Sequence, residues 1–363
     1  MYRRTLRKSD GRALILYGRA PLEDHIDAPS AGASESPNPH LRWHPLREEW
    51  VAYAGHRQAR TFLPGPDDDP LAPSTDSRRP TEVPAGSWDV AVFDNRFPTL
   101  AADVPEPAPS IVATRAARGA CEVVVFTQEA TGSLGALPLD RLELLVDVWA
   151  DRTGELGARD DVRYVLPFEN RGVEVGVTLQ HPHGQIYAYP FVPPVATREL
   201  AAQEAHRRRE GRGLLEAMIA AEVSDGRRIV YAGDAALAFA PVCARFPYEL
   251  WVAPRRPVAA FPDLDRDERR GFARALKIAL LKLDALWHRP MPYVLGFHQA
   301  PTDGRPHPEA HLHAEIWPFA RMPGRLKYLA GSEIAAGVFI VDVTPEQAAA
   351  ELMEVDVSLD TAA

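Results

Sequence analysis

The segment His181-Pro182-His183-Gly184-Gln185 gathers side chains suited to group transfer. Imidazole is a good nucleophile toward phosphorus and is largely neutral near pH 7. The proline between the two rings has a fixed φ and limits how they splay. Gly184 would let the backbone approach a bulky ligand closely. Gln185 can donate a hydrogen bond to a phosphoryl oxygen but cannot carry a proton through a reaction. The set suits movement of a nucleotidyl group through a phosphohistidine on His183. Two duller readings compete. A lone histidine is more often a hydrogen-bonded sheet residue, and a His-x-His pair often holds zinc, a role more natural for His181. The whole pattern, placed ahead of an apolar run at 186–189 that reads as a strand, favours a catalytic His183.

These residues need a frame. Hydrophobic patterning and turn punctuation predict strands over 12–18, 50–54, 88–93, 121–127, 162–168, 173–177, 228–232, 236–242 and 249–253. A helix is expected over 138–156, where Leu142, Leu145, Val146 and Trp149 follow i, i+3, i+4, i+7. Others are expected over 196–222 and 265–287, the last with Asp263 and Asp265 placed to cap it. The Pro-, Ser- and Asp-rich stretches 21–39 and 64–87 read as connections, with Asp67-Asp68-Asp69 as a solvated acidic turn.

With 363 residues, 46% of them hydrophobic, the chain can form two domains or one duplicated domain. A net charge of −9 argues against a nucleic-acid surface or a polybasic membrane anchor. An anionic substrate therefore needs a local cluster of cations. Cys121 and Cys243 make no disulfide framework and fit a reducing cytoplasm. No apolar run is long enough for a membrane span, and the first residues lack a signal-peptide core.

The two halves repeat one another. Arg96-Phe97-Pro98 returns as Arg245-Phe246-Pro247, and Leu139-Asp140-Arg141 returns as Leu264-Asp265-Arg266 at a helix start. His181-Pro-His183-Gly-Gln185-Ile-Tyr aligns without a gap with His311-Leu-His313-Ala-Glu315-Ile-Trp. The order implies an internal duplication of one α+β unit. The expected division is an N-terminal extension at 1–39, a first unit with the nucleophile motif at 40–195, a second unit at 196–350 and a tail at 351–363.

On these motifs the chain resembles the galactose-1-phosphate uridylyltransferase branch of the histidine-triad superfamily, over about residues 40–350. Hydrolases of that superfamily carry a third histidine where Gln185 stands. The resemblance implies an α+β, histidine-triad-like fold in which two duplicated units share an antiparallel sheet with packed helices. It implies that His183 attacks the α-phosphorus of UDP-glucose, releases glucose 1-phosphate and passes the uridylyl group to galactose 1-phosphate, as in galactose metabolism. Two displacements at one site mean ping-pong kinetics. Gln185 would orient phosphoryl oxygens. Arg57 and Arg60 match phosphate-binding arginines, Asn95 a uridine or ribose contact, and Lys327 a sugar-phosphate contact. Asn170 and Thr178 match polar residues near nucleophile and phosphate. A homodimer with sites across its interface is implied.

Metals mark a departure. Many members of the family hold zinc with a Cys-x-x-Cys pair, a distal histidine and the first motif histidine. Here 64–86 contains no cysteine, the distal position is Ala130, and His181 alone remains. One ligand makes no tetrahedral site, so this zinc is expected to be absent and His181 to keep a hydrogen-bonding role. A second family site is matched by Glu199, His298 and His313, with Glu315 at its last position and His311 nearby; carboxylate and imidazoles suit structural zinc or iron. No cofactor is expected in the chemistry itself. Three rival readings stand beside the main one. An adenylyltransferase or phosphorylase could use ADP-glucose or a dinucleoside polyphosphate. A non-catalytic nucleotide-binding protein is the second. The third is a hydrolase, against which Gln185 argues.

Overall fold

The computed structural model describes residues 1–29, 38–59, 63–65, 68–76 and 78–359. An eleven-stranded antiparallel sheet runs through it. In chain order its strands are β1 (Tyr2–Arg7), β2 (Ala13–Gly18), β3 (Val90–Asp94), β4 (Ala120–Val125), β5 (Tyr164–Arg171) and β6 (His183–Tyr189). The second half supplies β7 (Ile229–Ala232), β8 (Ala236–Phe239), β9 (Leu250–Pro254), β10 (Tyr293–His298) and β11 (His313–Pro318). The order across the sheet is β1-β2-β3-β4-β6-β5-β10-β11-β9-β8-β7. Its centre is the β5–β10 pair. Outward from there the two halves correspond strand for strand: β6 to β11, β4 to β9, β3 to β8 and β2 to β7.

Strand alternation decides what each face does. Along β6, Gly184, Ile186 and Ala188 are buried on one face, while His183, Gln185, Tyr187 and Tyr189 lie on the other. The first face packs on helices α1 (Leu139–Gly157) and α4 (Arg266–Ala285), which also pack on each other. That core includes Val124, Phe126, Leu145, Val148, Trp149, Phe272, Leu276 and Phe297. Each large apolar side chain fully buried there contributes roughly 1.5–3 kcal/mol, so packing rather than helix propensity holds α1 and α4 in place. On the opposite face of the first half, Leu14, Leu16, Ala91, Phe93, Val123 and Val125 form a second core. Ile26, Leu71, Val83 and Trp88 roof it, so both polar connections contribute buried residues.

Several expectations need correcting. Within the expected N-terminal extension, residues 2–7 and 13–18 are strands of the sheet. β1 and β2 form the edge of the sheet, and Leu14, Leu16 and Tyr17 are completely buried. Helix α5 (Pro345–Met353) crosses the expected 350/351 boundary and buries Leu352. No strand forms over 173–177. Gly172 and Gly176 have φ of 100° and 79°, which turn the chain into a 3₁₀ turn at Val173–Val175, while β5 continues through Asn170. The helix expected over 196–222 is two helices, α2 (Pro194–Glu210) and α3 (Leu214–Asp225). Gly211 ends α2 in a left-handed cap at φ 74°.

Candidate active site

His183 opens β6, between β4 and β5. Its Nδ1 donates to the backbone carbonyl of His181 at 2.7 Å. A hydrogen on Nδ1 leaves the lone pair of the neutral ring on Nε2. Burial pulls the His183 pKa below the ordinary imidazole value, and the neighbouring His181 ring adds to this against the opposing pull of the hydrogen bond and Asp69. The ring is thereby kept neutral, the form a nucleophile needs.

A pocket opens in front of this ring. It is lined by His183, Gln185, Arg57, Asn95 and Thr178, with Arg96, Phe93, Val123, Glu82 and the Pro70–Leu71–Leu179 wall. Five residues expected from the sequence therefore meet in one cleft. Arg57 is aimed by Nη1, which donates to the Phe97 carbonyl at 2.9 Å and lies 3.5 Å from the Tyr187 hydroxyl. Asn95 accepts from the Phe97 amide at 2.8 Å. Asn170 follows Phe168, the β5 partner of Gln185, by two residues and so lies on the same face, level with His183. Lys327 does not join the group: its Nζ donates to Glu333 Oε1 at 2.6 Å and to the Ile340 carbonyl at 2.8 Å. Arg60 lies outside the described residues.

Three contributions escaped the sequence reading. Arg96 was noticed only as part of a repeat, yet it lines the pocket. Glu82 carries no motif; it is buried at the pocket edge, bound to Lys8 and 2.9 Å from Arg12, which joins the N-terminal hairpin to the site. Asp69 is not a solvated turn residue, since its Oδ2 lies 2.6 Å from His181 Nδ1. Asp68 beside it is exposed and pairs with Arg79 at 2.6 Å, while Asp67 lies outside the described residues. The role expected for Gly184 also changes. A Cβ there would stand 2.7 Å from the Phe126 ring and 2.9 Å from the Phe168 carbonyl. The Phe126 ring belongs to the helix-facing core and the Phe168 carbonyl to the neighbouring strand, so packing within the protein requires the glycine.

Strand register ties the second half to the first. Gln185 pairs with Val123 and Phe168, whereas Glu315 pairs with Trp251 and Gly296. Trp251 therefore stands where the first half has Val123, and His298 stands where it has Asn170. His313 Nδ1 donates to the His311 carbonyl at 2.9 Å, repeating the His183 geometry. The Trp251 indole packs 5.5 Å from the His313 ring and takes up space on that face. What remains is a cluster of ligand atoms from Glu199, His298 and His313, all within 4.8 Å of one another. The two rings stack at 5.1 Å, and His298 Nδ1 bonds Glu199 Oε2 at 2.7 Å. Glu315 Oε1 is 3.5 Å from His313 Nε2. Burial alone would lower the His298 pKa, but Glu199 and Glu315 outweigh it and the net shift is upward. Two carboxylates converging on buried imidazoles make a donor set that fits a divalent cation.

A neutral imidazole with one nitrogen anchored, sharing a pocket with an arginine and neutral amides, is an arrangement able to take up a nucleotidyl or phosphoryl group on its free nitrogen. Residues 31–193 match the family model for the galactose-1-phosphate uridyl transferase N-terminal domain, and residues 199–361 match that for the C-terminal domain. The chain is 35% identical over 325 residues to the galactose-1-phosphate uridylyltransferase of Thermotoga maritima, covering 88% of this chain and 99% of that one. It is 34% identical to the Streptomyces lividans protein of the same name, with 98% of each chain covered. A solved uridylyltransferase structure superposes with a TM-score of 0.77 at 32% identity, covering 86% of this chain and 97% of the other. The chain belongs to the galactose-1-phosphate uridylyltransferase family.

Proposed function

We propose that the protein is a UDP-glucose–hexose-1-phosphate uridylyltransferase that works through a uridylyl-histidine. The observation carrying this is His183: Nδ1 is tied to the His181 carbonyl, and the ring lines a pocket with Arg57, Asn95, Thr178 and Gln185. In the first step Nε2 forms a bond to the α-phosphorus of UDP-glucose as the bond to the bridging oxygen breaks, releasing glucose 1-phosphate. The ring then carries a positive charge, because Nδ1 keeps its hydrogen; the His181 carbonyl stabilises that charge through a charge-assisted hydrogen bond. In the second step a phosphate oxygen of galactose 1-phosphate attacks the same phosphorus, the N–P bond breaks and the neutral ring returns. Arg57 offsets phosphate charge, and Gln185 and Asn170 orient the phosphoryl oxygens. Thr178 and Asn95 contact phosphate and nucleoside. The test is turnover of UDP-glucose beside ADP-glucose, each with galactose 1-phosphate. The uracil donor should be preferred, and preference for the adenine donor would reject the reading.

The Glu199, His298 and His313 cluster supports structural zinc or iron, with Glu315 beside it. Elemental analysis should find about one metal equivalent per chain, and His298→Ala should lower it at least about tenfold under mild chelation. Equal metal content in the two proteins would remove this assignment.

We read the active form as a homodimer. Support comes from the segment after Lys327, where Tyr328, Ile334, Val338 and Ile340 are exposed apolar residues within thirteen positions; such clusters favour a partner surface. Sedimentation should give a two-chain mass. The strand-for-strand correspondence of the halves, with β2 as the counterpart of β7, supports duplication of one unit. Free thiols at Cys121 and Cys243 accord with a cytoplasmic enzyme. Among the described residues no helix is long and apolar enough to cross a membrane.

A further inference from the structure

We infer that Asp69 is a positioning residue for the nucleophile, acting through an imidazolium at His181. The His181 side chain is wholly buried. Its Nδ1 lies 2.6 Å from Asp69 Oδ2, and its Nε2 lies 2.9 Å from the Thr127 carbonyl. A carbonyl oxygen can only accept. Asp69 also acts as an acceptor: its Oδ1 takes the Leu71 amide at 2.9 Å. Burial would push the Asp69 carboxyl up, but the hydrogen bonds from His181 and Leu71 outweigh it and hold it below its ordinary range. With an ionised carboxylate on one side and a carbonyl on the other, both ring nitrogens must donate. The ring is then a cation matched to one carboxylate, a buried pair satisfied at both ends.

The consequence reaches the reacting atom through the backbone. The carbonyl of His181 accepts from His183 Nδ1 at 2.7 Å. Asp69 and Thr127 fix the ring of residue 181 from two sides, and so fix that carbonyl and the direction of His183 Nε2. Asp69 also sits immediately before Pro70 and Leu71, which line the pocket.

The second half of the molecule supplies an internal contrast. His311 corresponds to His181, and its Nε2 repeats the bond to a strand-end carbonyl, that of Pro254, at 3.0 Å. Its Nδ1 has no hydrogen-bond partner among the described residues. Among the described residues a carboxylate thus hydrogen-bonds the first histidine only in the half that holds His183, where the aim of the following histidine matters.

The inference rests on His183 as nucleophile, and its test separates the two claims. Nitrogen-15 NMR of histidine-labelled, full-length protein near pH 7 should show two protonated ring nitrogens on His181, assigned by their loss in His181→Gln. This readout needs no activity. In Asp69→Asn the second ring proton should disappear. The rate of label transfer from UDP-glucose to protein should fall about ten- to a hundredfold, while KM for UDP-glucose stays within about threefold. Asp69→Glu should recover part of that rate, which a loss of folding would not allow. A His181 ring with one bare nitrogen in the wild-type protein overturns the inference, as does an unchanged transfer rate in Asp69→Asn. If wild-type protein takes up no label, the proposed reaction fails while the ring nitrogens still decide the Asp69–His181 pair.

Discussion

His183→Ala protein incubated with UDP-glucose labelled in the uridylyl group is expected to retain no acid-labile label, and its turnover should fall by about 10⁴-fold or more. The size follows from what is removed. Without the ring no covalent intermediate forms, and neither Gln185 nor Arg57 can replace it, since an amide and a guanidinium offer no comparable nucleophile. Binding should survive, because Arg57, Asn95, Thr178 and Gln185 remain around the pocket. The variant should therefore bind UDP-glucose within about tenfold of the wild type while failing in chemistry, a kcat defect without a matching binding defect. The wild-type pH profile adds a second check. His183 has its pKa lowered from 6.5 by burial, so the neutral ring persists to lower pH than a free imidazole. The acid limb of label transfer should accordingly fall below pH 6.5. Label retained by the alanine variant would remove His183 from the mechanism.

Much of this site could be read before the fold was known because its signals are local. The five residues at 181–185 are contiguous, and the strand pattern after them fixes which side chains share a face. The helices α1 and α4 announce themselves by period, and the repeat of Arg-Phe-Pro and His-x-His gave away the two halves. What escaped is long-range or depends on backbone geometry. Asp69 reaches His181 across 112 residues of chain, and nothing in its neighbourhood distinguishes it from Asp68, which points to solvent. Glu82 meets Lys8 across 74 residues. The correspondence of Asn170 with His298 is a matter of strand register, since the segments around them share no motif. Gly184 is a place of close approach, but the approaching atoms are the Phe126 ring in the core and the Phe168 carbonyl of the adjacent strand, which no local pattern announces. β1 was missed because an edge strand of alternating exposed and half-buried residues, Tyr2–Arg7, has little hydrophobic signal of its own.

Arg152→Met should cost about 3–5 kcal/mol, a large part of the roughly 5–15 kcal/mol by which a folded protein is held. Arg152 projects from α1 into the helix-facing side of the sheet, on β4 beside the strand of His183. Its Nε and Nη2 grip the two oxygens of Glu122 on β4 at 3.0 and 2.7 Å. Both side chains are almost wholly buried, at 3% and 6% exposure. Methionine fills similar space, so the penalty comes from the stranded carboxylate and not from a cavity. Two further measurements identify that cause. Adding Glu122→Leu to Arg152→Met should restore most of the lost stability, since no charge is then left unpaired. The deficit of the single variant should also depend on pH. Burial already raises the Glu122 carboxyl above its ordinary value, and loss of the guanidinium strengthens that shift. A group whose folded pKa is raised contributes stability below its unfolded value and loses it as pH rises through the folded one. The gap between variant and wild type should therefore narrow as pH is lowered from about 7 to about 5. Urea midpoints at both pH values provide the reading. A single-variant cost under about 1 kcal/mol, the range of exposed ion pairs, would show that the sheet does not depend on this bridge. Because β4 pairs directly with β6, holding Val125 opposite His183, the same substitution also tests whether the back of the sheet keeps His183 in register.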